Sequence, residues 1–168
     1  YQNISILGVS GGGATTLHAV LMDQIIDINQ LILLDPYIVP KNKLIFWVPV
    51  LRLFIKNTTS GATRDIEYKR KYYNRPASAL NELRLLVINV QDQLKSQSNK
   101  NLPDIHVFTA NGDPSSDTLG ADFIKRYIPE TSIHRYNSDR HVIIDPDTKL
   151  DWTNNDQELM MTVIRQII

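Results

Sequence analysis

The 168-residue sequence contains no cysteine. That excludes a disulfide framework and any thiolate metal site, and it leaves the redox compartment unread. No membrane span is present either, because the longest apolar stretch, LIFWVPVLRLFI at 44–55, is too short to cross a bilayer and carries Pro49 and Arg52. No histidine pair or carboxylate cluster has metal-ligand spacing, so neither a metal nor another cofactor is expected. An excess of one charge is missing as well: 18 Lys and Arg stand against 18 Asp and Glu, which argues against a general nucleic-acid binder. The chain opens on Tyr1 rather than Met, with no basic leader or cleavage-site pattern, and the expectation is a processed, excised or partial product. These features do not determine localisation, with the cytoplasm favoured.

What is there fits one soluble globular domain or part of one. A hydrophobic fraction of 42% and a charged fraction of 21% exclude disorder or a fibrous repeat. The neutral total hides an uneven distribution. Residues 41–75 hold Lys41, Lys43, Arg52, Lys56, Arg64, Lys69, Arg70, Lys71 and Arg75 against Asp65 and Glu67, nine minus two, which leaves −7 for the remainder. A solvated face explains this, and so would a surface that contacts anionic lipid or an acidic ligand.

Hydrophobic periodicity divides the chain into strands and helices. NISILGVS, QLILLDPYI, DIHVFTANGD and TSIHRYN read as four strands. Helical spacing follows the first of them, with Leu17, Val20, Leu21 and Ile25 on one face. A second helix runs from about Thr118 to Tyr127, with Ser116 or Asp117 placed to cap it. A third spans 154–168, with Thr153 and Asp156 as a capping box and Leu159, Met160, Val163, Ile164 and Ile167 as its apolar face. Between the second and third strands, residues 37–75 are basic, aromatic and apolar together and read as a lid. From Pro76 onward Leu80, Leu83, Val87, Val90 and Leu94 have core spacing and read as a crossover helix. The fold class is therefore α/β, a mostly parallel sheet with helices on both faces and a helical lid insert; residues 1–36 and 76–168 form its core. Such a sheet places Ser10, Asp35, Asp113 and the loop after Asn137 along one edge.

The stretch GVSGGGATTLH at 8–18 has three readings: a nucleophile elbow, a phosphate-cradling loop, or a tight turn shaped only for packing. No lysine follows the glycines as a P-loop requires, and Thr16 stands where a dinucleotide loop needs its third glycine. Asp35 at the end of the next strand is the one feature that favours a dinucleotide. Gly8-Val9-Ser10-Gly11-Gly12 fits GxSxG in the required setting, after a strand and opening a helix. Ser10 would be the nucleophile and the Gly11 N–H one oxyanion donor, aided by the positive helix end. Of the four histidines, His18 lies on a helix and His106 and His134 inside strands. His141, in NSDRHVI, is the one placed in a loop at the carboxyl edge of the sheet, last in the order serine, acid, histidine.

At these residues the chain resembles the α/β-hydrolase family, within it the carboxylesterase, monoacylglycerol lipase and lysophospholipase branch. The resemblance is carried by GVSGG, by VFTANGDP, similar to the family's acid turn, and by RHVIID, similar to its histidine loop. It implies Ser10 as nucleophile, Asp113 as the acid that orients the imidazole, and His141 as general base and then acid. Asp35 ranks second as the acid, in the position used by lipases that keep it one strand earlier, and Asp117 third; Asp139 reads as a turn residue. The implied activity is hydrolysis of carboxylic esters, acylglycerol or lysophospholipid-like, through an acyl-enzyme, with Phe46, Trp47 and Phe54 of the lid shaping the pocket. An acyltransferase or thioesterase on the same residues, and a non-catalytic interaction module, remain open. The implied partners are a small-molecule ester and, through the basic lid, a membrane surface. A complete member has roughly a hundred residues before its elbow, including a second oxyanion donor; that part is expected in cis or from a partner chain.

Overall fold

The computed structural model describes residues 4–25, 27–59, 74–96, 101–138, 141 and 154–167. Four parallel strands, β1 (Ser5–Val9), β2 (Gln30–Leu34), β5 (Asp104–Ala110) and β6 (Ser132–Tyr136), form one sheet in the order β1-β2-β5-β6. α1 (Gly11–Leu21) joins the first two, α3 (Ala77–Ser96) precedes β5, α4 (Leu119–Tyr127) joins β5 to β6, and α5 (Asn154–Ile167) closes the described chain. The four strands and the helices expected from periodicity are thus present, as a mostly parallel sheet with helices.

The sheet is buried on both faces, which is why its inner strands read as continuous apolar runs rather than as an alternation. Successive side chains of β2 divide between two cores. Leu31 and Leu33 pack with Leu17 and Leu21 of α1, Val90 and Leu94 of α3 and Ile124 of α4. Ile32 and Leu34 pack with Phe108, Tyr136 and, from α5, Met160 and Ile164. His106 and His134 stack here in the same row as Phe108, whose ring centroid lies 4.4 Å from that of His134. Burial pushes both histidines below the usual imidazole range, so both are held neutral as members of the sheet's packing.

At the start of α4 one of the two expected capping residues supplies the bond. Thr118 occupies the N-cap of α4, and the side chain that bonds a first-turn amide is that of Asp117, whose Oδ1 accepts from Leu119 N–H at 3.1 Å. Ser116 instead turns inward. The expected capping box rests on Thr153, which lies outside the described residues.

Between β2 and α3 the chain forms a short 3₁₀ turn (Lys43–Trp47), α2 (Val48–Leu51) and an antiparallel pair, β3 (Asn57–Thr59) with β4 (Asn74–Pro76). That pair, not expected from the sequence, sets Thr59 opposite Asn74. Pro76 is the last residue of β4, directly before α3, whose face divides: Val87, Val90 and Leu94 enter the core, while Leu80 and Leu83 line a cavity.

Candidate active site

β1 and β2 end in register, Val9 opposite Leu34, and the residue after each has a left-handed backbone. Ser10 stands at φ 52° and Asp35 at φ 42°. A serine in that region is strained, and the surroundings over-determine it. Ser10 N–H donates to Leu34 O at 2.9 Å, while its carbonyl accepts from Ala14 N–H at 3.2 Å and Tyr37 N–H at 3.0 Å. The turn also requires β1 and α1 to approach closely: a Cβ on Gly8 would lie 2.8 Å from Gly13 Cα and 3.1 Å from Gly12 O. A Cβ on Gly12 would meet nothing within 4 Å. Gly8 and Gly13 are therefore the glycines that the close approach demands, although the GxSxG pattern pairs Gly8 with Gly12.

The Ser10 hydroxyl projects to His141, with Oγ 2.5 Å from Nε2. The other ring nitrogen, Nδ1, lies 2.7 Å from Asp113 Oδ2. An ionised carboxylate only accepts, so Nδ1 carries the proton and Nε2 presents its lone pair to the serine O–H. Asp113 has no exposed side-chain surface, and its second oxygen, Oδ1, accepts from Ser115 N–H at 2.7 Å and Ser116 N–H at 3.1 Å. The turn that carries it is tied to residues 39–41: Lys41 N–H donates to Ser115 O at 3.1 Å, Asp117 N–H to Val39 O at 2.9 Å, and Lys41 Nζ to Asp113 O at 2.8 Å. A carboxylate held this way has one free direction, toward the imidazole.

Asp35 sits elsewhere. It is fully buried and its Oδ1 accepts from Ala110 N–H at 2.8 Å, one strand away from the histidine. Its backbone carbonyl receives the Ser116 hydroxyl at 3.2 Å, so Asp35 fastens the acid turn to the sheet. Of the three candidate acids, Asp113 alone meets His141. His18 Nδ1 lies 2.8 Å from Gln93 Oε1 on the side of α1 that meets α3, and Asp139 lies outside the described residues. Among the described residues no cluster of three or more His, Cys, Asp or Glu could hold a metal.

A cavity of about 750 Å³ opens over Ser10 and His141. Gly11, the first residue of α1, lines it; first-turn amides have no acceptor within their own helix, so its N–H is available at the positive helix end. The apolar wall differs from expectation. Phe46, Trp47 and Phe54 face outward, 38%, 63% and 83% exposed, and the wall is made of Leu44, Ile45, Val48 and Leu51 with Leu80 and Leu83. Tyr37, Asn42, Thr58, Arg75 and Ser115 supply its polar part. Sequence reasoning missed Tyr37 and Arg75 as site residues; the one available signal was their position at the ends of the segment 37–75.

Taken together, the serine, the imidazole and the buried carboxylate can deprotonate a hydroxyl and return that proton to a leaving group. No protein-family model matches the sequence, and no curated protein does. Solved structures do match. One, described for the metagenome-derived lipolytic enzymes LipS and LipT, is similar over 98% of this chain and 65% of its own, with a TM-score of 0.70 at 13% identity. A monoacylglycerol lipase from Paleococcus ferrophilus matches over 96% of this chain and 67% of its own, with a TM-score of 0.68 at 12% identity. A monoglyceride lipase from Saccharomyces cerevisiae matches over 97% and 62%, with a TM-score of 0.65 at 15% identity. The chain thus spans about two-thirds of the length of these structures, and over that span it has the α/β-hydrolase fold.

Proposed function

We propose that the protein is a serine esterase that acts through an acyl-enzyme. The observation that carries this reading is the continuous hydrogen-bonded chain from Ser10 Oγ through His141 to Asp113 at the floor of an apolar cavity. His141 Nε2 takes the hydroxyl proton as Ser10 Oγ bonds to the ester carbonyl carbon, and Asp113 stabilises the imidazolium that forms. The Gly11 N–H stabilises the carbonyl oxygen as it gains charge. His141 then protonates the leaving alcohol, the C–O ester bond breaks, and water repeats the sequence on the acyl-serine. The aliphatic wall of the cavity suits an acyl chain, as in acylglycerols or lysophospholipids. Among the described residues β1 is the edge strand of the sheet, and the strand beside it, with the loop that donates the second oxyanion N–H, would be supplied in cis or by a partner chain.

Two measurements test this. A fluorophosphonate probe should label Ser10, located by peptide mapping, and p-nitrophenyl esters of graded chain length should be hydrolysed. A folded protein that neither reacts with the probe nor turns over any ester would overturn the reading. Product analysis with added alcohols or thioesters separates a hydrolase from an acyltransferase or thioesterase on the same residues.

Residues 37–75 would act as a lid with a membrane-facing surface. Leu44, Trp47, Val50, Leu53, Phe54 and Ile55 are all exposed, with Lys41, Lys43, Arg52 and Lys56 among them. No helix among the described residues is long and apolar enough to span a bilayer, and this pattern suits a segment that lies in the interface of an anionic one. Each large apolar side chain that enters the acyl region contributes about 1.5–3 kcal/mol. Phe54→Glu should accordingly lower the affinity for phosphatidylserine-containing vesicles by at least about tenfold. Equal sedimentation of the variant, or equal binding to purely neutral vesicles, would refute the lid's membrane role.

A further inference from the structure

Residues 37–41 join the turn of Ser10 to the turn of Asp113. At one end Tyr37 N–H donates to Ser10 O at 3.0 Å. At the other, Lys41 N–H donates to Ser115 O at 3.1 Å, and the Lys41 ammonium, Nζ, donates to Asp113 O at 2.8 Å. The stretch between is braced. Ile38 is fully buried in the core and its carbonyl accepts from Gln91 Nε2 of α3 at 2.8 Å. Val39 O accepts from Asp117 N–H at 2.9 Å, and Pro40 pairs with Ser116 as an antiparallel bridge. This strap ties the two turns together without passing through the histidine.

Of these bonds, that of Lys41 Nζ falls on Asp113 itself. Pro114 follows Asp113, so the peptide between them has no N–H and is open to hydrogen bonding only through its carbonyl. The orientation of that peptide sets the Asp113 backbone, and with it the direction of the carboxylate whose Oδ2 lies 2.7 Å from His141 Nδ1. A bond from a charged donor is roughly twice as strong as one between neutral groups. Lys41 is not among the described residues that line the cavity.

We infer that Lys41 is a positioning residue for the reaction: its ammonium acts through Asp113, holding the carboxylate on the imidazole, and touches no substrate. This rests on the esterase reading and adds to it a residue outside the cavity that governs turnover rather than binding.

The test is steady-state kinetics on p-nitrophenyl butyrate, a soluble ester that needs no lipid surface, with rates expressed per folded molecule from melting curves. Lys41→Met keeps the length of the side chain and the main-chain bonds and removes the ammonium. Both kcat and kcat/KM should fall together by about tenfold, with KM unchanged, and Lys41→Arg, which restores a charged donor, should recover most of the loss. Lys41→Gln carries the same expectation as the methionine variant should that one misfold. In an Asp113→Asn background the loss of the ammonium should not slow fluorophosphonate labelling further, because the residue it acts through is already disabled. A residue that only braced the fold would lower the melting temperature and leave kcat per folded molecule unchanged. That result, a rise in KM alone, or a tenfold loss that persists in the Asp113→Asn background overturns the inference and leaves the esterase reading standing. A wild-type protein that neither hydrolyses an ester nor takes up the probe overturns both.

Discussion

Asp113→Asn is expected to lower kcat for ester hydrolysis by about 10⁴ while the protein stays folded. The asymmetry of the Asp113 contacts explains both halves of that result. Its Oδ1 accepts the Ser115 and Ser116 amides, and an asparagine oxygen placed there keeps both bonds. The amide nitrogen then replaces Oδ2 opposite His141 Nδ1. Two donors facing each other are repulsive, so Nδ1 gives up its proton and Nε2 carries it instead, facing Ser10 Oγ with no lone pair to accept from it. The serine loses its base without any change of shape. Ser10→Ala should be at least as damaging and should abolish fluorophosphonate labelling, and the double variant should be no worse than the more damaging single one, because the residues act as a unit. Asp35→Asn is the contrasting substitution. Its carboxylate holds Ala110 N–H in a fully buried site, so its effect belongs in thermal stability. Steady-state kinetics and melting curves on the two variants decide the matter: equal loss of kcat in Asp35→Asn would overturn the assignment of Asp113 as the orienting acid.

Gly8→Ala is expected to cost about 1–3 kcal/mol of stability and about 10²-fold in kcat. The added Cβ would sit 2.8 Å from Gly13 Cα and 3.0 Å from Thr16 Oγ1. Neither neighbour can swing away, since the first is backbone and Thr16 Oγ1 is held on Gly12 O at 2.8 Å. Relief requires α1 to lift from β1, and Ser10 is the residue between them. Its Oγ would shift relative to a histidine held on the far side of the sheet edge, and displacement on the order of 1 Å is enough to cost two decades in rate. Gly12→Ala, with nothing within 4 Å of its Cβ, should leave stability unchanged or raise it slightly, since alanine favours a helix over glycine by about 1 kcal/mol. Melting temperature and kcat measured on both variants test the claim, and equal behaviour of the two would refute it.

Much of the scaffold was legible because its signals are local. The strand β2 is buried on both faces and so carries an unbroken apolar run; α1 and α3 show their core stripes through Leu17, Val20, Leu21, Val87, Val90 and Leu94. The turn at Ser10 was legible because a left-handed serine between a packed strand and helix leaves a glycine signature. The lining of the cavity was not. Residues 43–51 change from a 3₁₀ turn to a single α-helical turn with Pro49 inside it. No constant period holds over so short a span, and the large aromatics, expected inside, went to the surface while Ile45 and Val48 turned inward.

The choice among Asp113, Asp35 and Asp117 is of a different kind. Each follows an apolar strand or precedes a helix at the same sheet edge, and each has a plausible local role. By itself the sequence determined a parallel sheet, a strand-to-helix turn that carries Ser10, and the position of His141 after the strand TSIHRYN. Only the tertiary structure decided which carboxylate meets the ring. His141 stands 131 residues from Ser10 and 28 from Asp113, and the tie of residues 39–41 to the acid turn sets which side of that turn faces it. Strand period, turn chemistry and capping act over a few residues and leave a mark in the order of the letters; the meeting of three side chains depends on the packing of the whole sheet.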